Sequence, residues 1–331
     1  MPGSLAVGLI ASIMQCDCIL DGLFRVREAS TEQASDCGFS AVSRHFGGLA
    51  HGRSARPRFN RMEYIDSLDD PRVASYRNLR DRTLAGENLF VAEGRLVVSR
   101  LLESEFDVES VLVAQQFADD LRELVGPEVP LYMVDEPLLV EIVGYDFHRG
   151  VLAVGRRRER FTFGQLMDHV GRQASLRLVV CPEVANRDNL GLVFRAAAGF
   201  GVDGILLGPG SGDPLARRCL RLSMGAALRL PFARSGDLAA DLTELKECWG
   251  VELVATVLDD EAEHVGEFAW PARVGLLFGH EHRGLDGEWL ALCDHQVTLP
   301  MAPGTDSLNL AMAAGIFIYE MTRARPPASS G

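Results

Sequence analysis

Hydrophobic residues in the second half of the chain form short, unbroken runs with helix-like segments between them. Five such runs are LRLVVCPEV, GVDGILLGPG, VELVATVL, VGLLFGHE and HQVTLPM. The runs lack the alternation of apolar and polar residues that a half-exposed strand shows. Unbroken apolar runs are typical of strands that are buried on both faces. We therefore predict an α/β fold for residues 173–325, with a mostly parallel sheet between layers of helices. In such sheets ligands bind beyond the carboxyl ends of the strands.

Residues 62–155 show a second alternation of helix-like and strand-like segments, which includes VESVLVA and VPLYMVD. This pattern predicts a small α/β domain. The following segment, 156–172, is predicted to be an exposed linker. Its arginines indicate either a solvated joint or a basic hinge that holds nucleic acid; they are Arg156, Arg157, Arg158 and Arg160.

Both ends of the chain lack a packing pattern. Residues 1–61 are predicted to be a poorly ordered extension, and residues 326–331 a short tail. Four arginines cluster near Met62, at positions 53, 56, 58 and 61. The extension is therefore either an RNA-binding arm or a segment that precedes the true start at Met62.

Length, charge and cysteine content narrow the class of protein. The 331 residues allow two domains, and the net charge of −13 argues against a protein that coats nucleic acid non-specifically. The apolar stretch at 5–14 is shorter than the roughly 20 residues that cross a bilayer, and no Lys or Arg precedes it. Seven cysteines without a C-x-x-C pair favour a reducing cytoplasm over a disulfide framework or a zinc ribbon.

Two glycine-containing loops follow predicted strands. GPGSGDP resembles a nucleotide-binding turn, but no strand ending in an acid follows about 20 residues later, so a plain turn is favoured. In GHEHRGL, His280 and His282 lack a third metal ligand at a motif spacing, which disfavours zinc. Gly279 and Gly284 instead indicate a sharp turn or the close approach of a ligand.

Two further segments carry candidate chemistry. Residues 190–200 are helix-like, and Arg195 stands there among small residues, either as a surface arginine or as a side chain that reaches across an interface. Asp306, Ser307 and Asn309 precede a long apolar helix. They are either its cap or the floor of an active site.

These loops together resemble the SpoU (TrmH) family of RNA 2′-O-ribose methyltransferases, in the SPOUT group. The resemblance covers about 150 residues and three ordered motifs: N-x-G with an arginine four residues later, G-x-E-x-x-G-L, and P-M followed by S-L-N. The matching residues are Asn189, Gly191, Arg195, Gly279, Glu281, Gly284, Leu285, Pro300, Met301, Ser307, Leu308 and Asn309. His280, Asn186, Arg187 and Gly304 depart from the commonest pattern, which leaves the subfamily open.

The resemblance implies a trefoil knot in the C-terminal domain and an L30e-like RNA-binding domain before it. It implies S-adenosylmethionine as the cofactor, without a metal, held by Gly279, Leu299, Met301 and Leu308, with Thr256 as a further candidate. It assigns the reaction to Arg195, Ser307, Asn309, Asn189 and Glu281. We expect the guanidinium to stay protonated and to stabilise the developing alkoxide.

The resemblance also implies a homodimer that covers the apolar C-terminal helix and carries Arg195 close to the neighbouring active site. Structured RNA is the expected partner, with ribosomal RNA favoured and tRNA possible. A non-catalytic RNA-binding protein and a nicotinamide-dependent oxidoreductase are the alternatives from other classes.

Overall fold

Two β-sheets, one in each half of the chain, organise the fold. The computed structural model describes residues 62–77, 79, 86–145, 147–157, 161–304 and 307–323. The predictions for residues 1–61, Arg158, Arg160, Asp306 and the tail concern positions outside this set. Both sheets fall within one compact unit of the chain.

The N-terminal sheet has five strands in the order β1-β4-β3-β5-β2. The strands are β1 (Met62–Tyr64), β2 (Leu89–Glu93), β3 (Val108–Ala114), β4 (Leu131–Val134) and β5 (Val151–Arg156). β4 is parallel to β1 and β3, whereas β5 is antiparallel to β3 and β2. β2 is therefore an edge strand, yet all five of its residues are buried.

Helices cover both faces of this sheet. They are α1 (Arg95–Leu102), α2 (Ala118–Arg122), α3 (Glu136–Val143) and the 3₁₀ helices Pro71–Tyr76 and Gln115–Phe117. Along β5, Val151 and Ala153 pack into one apolar cluster, and Leu152 and Val154 into another. This alternation follows from the two-residue period of a strand.

The C-terminal sheet has seven strands in the order β10-β12-β9-β11-β6-β7-β8, and every neighbouring pair is parallel. The strands are β6 (Leu176–Cys181), β7 (Gly204–Leu207), β8 (Phe232–Arg234), β9 (Glu252–Val257), β10 (Glu263–His264), β11 (Arg273–Leu277) and β12 (His295–Thr298). All six residues of β6 are buried, as its unbroken apolar run predicts. The predicted mostly parallel α/β sheet is confirmed.

Among the residues described, six α-helices and the 3₁₀ helix Ala226–Leu228 belong to this half. The α-helices are α4 (Phe163–Val170), α5 (Arg187–Phe200), α6 (Arg217–Leu222), α7 (Leu238–Glu247), α8 (Gly287–Leu292) and α9 (Leu310–Arg323). The cores of α5, α6 and α9 join one apolar cluster, and those of α4 and α7 join the cluster on the other face. α4 lies within the predicted linker. A capping box between Thr162 and Gln165 starts it, and it packs on β7 and β8.

The strand order reverses between β6 and β11. The chain passes from β6 to β7 and β8 on one side, then returns to build β9 and β11 on the other. β6 and β11 are adjacent and parallel, and the chain leaves them toward opposite sides of the sheet. Such a reversal is where open parallel sheets bind ligands.

Helix α9 is apolar on more than one side. Ala314, Phe317 and Ile318 are buried, whereas Met312 and Tyr319 are exposed. Within the residues described, no helix has both the length and the apolar character needed to cross a bilayer.

Candidate active site

Three strand-end loops of the C-terminal sheet meet around one cavity of about 490 Å³. They follow β9, β11 and β12, three neighbouring strands. Because parallel strands end at the same edge of a sheet, residues far apart in sequence become neighbours here. The first turns of α9 close the cavity with Leu310, Ala313 and Phe317.

Seven of the ten predicted site residues line this cavity. They are Thr256, Gly279, Glu281, Leu299, Met301, Ser307 and Leu308. Gly279, Leu299 and Leu308 are therefore gathered at one place. The Thr256 hydroxyl donates to the carbonyl of Leu277, 2.8 Å away, and fixes the end of β9 against β11.

A tight hairpin after β11 shapes the cavity wall. His280 and Gly284 exchange two backbone hydrogen bonds, 2.8 and 3.0 Å long. A Cβ on Gly279 would lie 2.1 Å from the carbonyl carbon of Gly284, which no side chain allows, and Gly284 has a φ of 71°. The two motif glycines are therefore required by the shape of the loop.

A chain of hydrogen bonds ties the three motifs together. Glu281 Oε1 accepts from the backbone N–H of Asn186 at 3.0 Å and from Asn189 Nδ2 at 3.2 Å. Asn189 Oδ1 accepts from Asn309 Nδ2 at 3.0 Å. Asn189 and Asn309 thus do not line the cavity, but they orient the carboxylate that does.

Asn309 has two jobs. Its Oδ1 accepts from the backbone N–H of Ala311 at 2.9 Å, which caps α9. Its Nδ2 donates to Asn189. Of the two alternatives that the sequence left open for this residue, the structure shows the cap, and its role in the active site stays a prediction.

Arg195 lies apart from the cavity. It is exposed on α5 and lines a separate shallow groove of about 440 Å³ with Leu192, Phe200 and Met312. Ser307 lines the other cavity. Within one chain, the two residues that the family resemblance pairs are therefore on different concave surfaces.

The GPGSGDP loop is a structural turn. Its backbone N–H groups at Gly208 and Gly212 donate to the carbonyls of Cys181 and Val184, so neither is left for a phosphate. Its carbonyls at Gly208, Ser211 and Gly212 face the guanidinium of Arg234. A nucleotide-binding turn needs free N–H groups, and this loop contributes none to the cavity.

His280 and His282 also line the cavity. His280 Nδ1 accepts from the backbone N–H of His282 at 3.1 Å, so the neutral ring carries its proton on Nε2. In the part of the chain that is described, no group of three or more His, Cys, Asp or Glu side chains is arranged to hold a metal ion.

Cys181 ends β6 beneath the site. Burial, and secondarily the charge of Glu281, raise the pKa of its thiol to about 12. The thiol therefore stays protonated at neutral pH and is a poor nucleophile. Covalent chemistry through this cysteine is disfavoured.

Sequence reasoning missed the apolar and acidic parts of the cavity wall. Phe278, Leu310 and Phe317 supply apolar surface, and Asp259 supplies a second carboxylate. Phe278 directly follows β11, and Asp259 lies two residues after the end of β9. Their position at strand ends was an available signal, whereas the contribution of Phe317 depends on how α9 folds back.

Comparison with known proteins agrees with this geometry. Residues 177–319 match the model of the SpoU rRNA methylase family. A protein of Mycobacterium tuberculosis that is named an uncharacterized tRNA/rRNA methyltransferase is 37% identical over 286 residues, which are 83% of this chain and 97% of the relative. The chain belongs to the SpoU rRNA methylase family.

Two other similar proteins match most of the chain. A 23S rRNA guanosine 2′-O-methyltransferase of Bacillus subtilis is 27% identical over 266 residues, 78% of this chain and 99% of the relative. The crystal structure of an AdoMet-bound rRNA methyltransferase from Sinorhizobium meliloti has a TM-score of 0.68 at 25% identity. It covers 79% of this chain and 98% of that one.

Proposed function

We propose that the protein is an S-adenosylmethionine-dependent RNA methyltransferase that modifies a ribose 2′-hydroxyl, in ribosomal RNA. One observation carries this proposal: residues of the second and third SpoU motifs meet at one cavity, where Asn189 of the first motif, itself bonded to Asn309, donates to the Glu281 carboxylate. The named activity of the B. subtilis relative, 2′-O-methylation of a 23S rRNA guanosine, supports both the reaction and the substrate class.

The residues of the cavity fit S-adenosylmethionine. Leu299, Leu308 and Phe317 offer apolar surface for a flat base. Glu281 and Asp259 supply negative charge for a ligand with a positive sulfonium and ammonium. The AdoMet-bound structure from S. meliloti supports the same assignment. When bound, the cofactor supplies an electrophilic methyl group.

The protein must align the 2′-oxygen with that methyl group and help the hydroxyl to lose its proton. Ser307 lines the cavity and supplies a hydroxyl that can accept a hydrogen bond from the ribose. Asn189 and Asn309 keep Glu281 in place through their hydrogen bonds. The guanidinium of Arg195 is assigned to the stabilisation of the developing alkoxide and to an RNA phosphate.

A homodimer brings Arg195 to a cavity. The α5–α9 face, defined by Leu192, Phe200, Met312, Ile316 and Tyr319, exposes five large apolar side chains around the Arg195 groove. A patch of this kind marks an interaction surface. Pairing of two such faces would cover the patch and place Arg195 of each protomer near the other's Ser307, and it would explain why the two residues lie apart within one chain.

The remaining assignments rest on the family. We assign residues 62–155 to an L30e-like RNA-binding domain, 156–172 to the connection and 173–325 to a SPOUT domain. In that domain the C-terminal segment passes through a loop as a trefoil knot. The loop after β12 and helix α9, which complete the cavity, are the segments that such threading would fix. A cytoplasmic location follows from a substrate in the ribosome.

Ribose methylation mapping across total RNA tests this function in a strain without the gene. We expect one or a few 2′-O-methyl positions in ribosomal RNA to disappear and to return with the wild-type gene. Arg195→Ala, expressed to the same level, should not restore them, because alkoxide stabilisation is lost. Loss of a 2′-O-methyl group from tRNA would instead identify tRNA as the substrate. No lost position would favour a non-catalytic RNA-binding protein.

A further inference from the structure

A buried carboxylate joins the two sheets. Glu93 ends β2 in the N-terminal sheet, and only 4% of its surface is exposed. Arg217 Nη1 lies 3.4 Å from its Oε2, and Arg221 Nη1 lies 3.8 Å from its Oε1. Both arginines belong to α6. We call residues 62–157, which hold the first sheet, the N-terminal unit, and residues 161–323, which hold the second sheet, the C-terminal unit. An acid this deeply buried needs such partners, since a lone charge there would be strongly destabilising.

Residues of the N-terminal unit complete the contact. Arg149 Nε lies 3.4 Å from Glu93 Oε1, and Tyr145 donates a hydrogen bond of 3.4 Å to Oε2. Arg217 also donates to the Tyr145 hydroxyl, and its guanidinium lies 4.8 Å from the centre of the tyrosine ring. The ion pair with Glu93, the hydrogen bond to the Tyr145 hydroxyl and the contact with its ring together restrict the orientation of Arg217 more than the ion pair alone would.

Three other contacts connect the two units, and all end on one segment of the C-terminal unit, residues 213–229. Arg157 pairs with Asp213 at 2.6 Å, Glu103 pairs with Arg229 at 2.6 Å, and Arg100 donates to the carbonyl of Met224. Apolar residues of both units share one continuous cluster at this seam. α6 thereby covers the edge strand β2, which accounts for the burial of all five β2 residues.

The same segment leads to the active site. α6 packs on α5, so closely that a Cβ on Gly191 would lie 2.8 Å from the carbonyl oxygen of Cys219. Arg218 of α6 pairs with Asp188 in the first turn of α5. α5 carries Asn189 and Arg195. A displacement of the N-terminal sheet on α6 would thus be transmitted to the residues that hold Glu281.

We propose that Glu93 is a positioning residue, which fixes the N-terminal sheet on α6 and so sets the distance between the RNA bound by that sheet and the methyl-transfer cavity. This inference rests on the proposed function. The N-terminal unit would bind one feature of the RNA, and the C-terminal unit would methylate a ribose that lies at a fixed distance from that feature. Glu93 is the centre of this seam because its side chain is almost fully buried, whereas both partners of the Arg157–Asp213 and Glu103–Arg229 pairs keep exposed surface.

The Glu93→Gln variant of the full chain tests the proposal, because it keeps the shape of the side chain and removes its charge. We expect kcat on structured ribosomal RNA to fall by about tenfold to a hundredfold while KM changes little, since RNA still binds but is presented out of line. The affinity for S-adenosylmethionine, measured by calorimetry, should stay unchanged. Glu93→Asp, which restores the charge, should recover part of kcat.

Glu103→Gln is the matched control. It is the same substitution at the same seam, but both partners of the Glu103–Arg229 pair are more than half exposed. A surface pair contributes little, so kcat should change by less than about twofold. Wild-type kcat in Glu93→Gln, or equal losses in both variants, would overturn the proposal, as would a loss of cofactor affinity together with kcat.

If Glu93→Gln does not fold, Arg221→Gln tests the same contact from α6, where the side chain is half-exposed and tolerant. A reduced kcat with normal cofactor affinity supports the positioning role, and an unchanged kcat overturns it. Failure of the proposed function is distinguishable, because the wild-type protein would then transfer no methyl group to RNA at all.

Discussion

At the scale of single residues, the site depends on amide groups that orient a carboxylate. Asn309 uses its oxygen to cap α9 and its nitrogen to contact Asn189, and Asn189 uses its nitrogen to contact Glu281. Each amide therefore has one acceptable orientation. If either amide turned over, two oxygens would face each other, and that loss of a buried hydrogen bond would disturb Glu281.

Asn309→Asp separates the cap from the site. The carboxylate can still accept from the N–H of Ala311, so the free energy of unfolding should fall by less than about 1 kcal/mol. It cannot donate to Asn189, so kcat should drop by about tenfold or more through misplacement of Glu281. Thermal denaturation and steady-state kinetics check both parts. Wild-type turnover in this variant would reduce Asn309 to a helix cap.

At the scale of secondary structure, the sequence predicts the C-terminal sheet well. Unbroken apolar runs identify β6, β7, β9, β11 and β12 because strands buried on both faces need no polar positions. The sequence also predicts the motif loops, because the turns made by glycine and the helix caps made by asparagine depend only on neighbouring residues. The pattern does not predict β8 or β10, which have three and two residues, nor α4 inside the expected linker.

The exposed apolar surface of the α5–α9 face depends on how two helices pack together, and the sequence pattern does not predict that packing. Met312 is 62% exposed at its centre, and the rings of Phe200 and Tyr319 are 5.6 Å apart on the same surface. The periodicity shows that α9 is apolar on several sides. It does not show that Arg195 belongs to that surface, because this depends on how α5 and α9 pack.

Met312→Asp tests the dimer. A charge in an apolar interface should raise the dimer dissociation constant by at least about tenfold. Sedimentation should then show more monomer, and methyl transfer should fall with the dimer fraction because Arg195 no longer reaches a neighbouring cavity. Cofactor affinity should persist.

Leu124→Asp is the control, since Leu124 is 46% exposed and lies in the N-terminal unit. It should leave sedimentation unchanged. A Met312→Asp protein that stays monomeric and fully active would show that each chain has a complete site.

At the scale of the whole molecule, the N-terminal and C-terminal units are joined by the contacts between β2 and α6. The partners Glu93 and Arg217 are 124 residues apart, so no local pattern links them. From the sequence alone, Glu93 reads as an acid that interrupts an apolar strand. Only the docking of α6 on β2 explains why this charge is buried, which is why the seam was not predicted whereas the motif loops were.

Overall charge acts at the same scale. The chain carries a net charge of −13, and its arginines at the seam and on α5 form small positively charged sites within that negative background. Recognition of RNA must therefore depend on placed guanidinium groups rather than on a general positive field. This agrees with an enzyme that selects one nucleotide in a structured RNA.

The most direct test of the central claim is methyl transfer in vitro. Purified protein would be incubated with methyl-labelled S-adenosylmethionine and ribosomal RNA from a strain that lacks the gene, and the RNA would be digested to nucleosides and analysed by mass spectrometry. We predict label in a 2′-O-methylnucleoside. In the undigested RNA, the phosphodiester on the 3′ side of that nucleotide should resist alkali, because the methylated 2′-oxygen cannot attack the phosphate. Label on a base, or no label in RNA, would contradict the assignment.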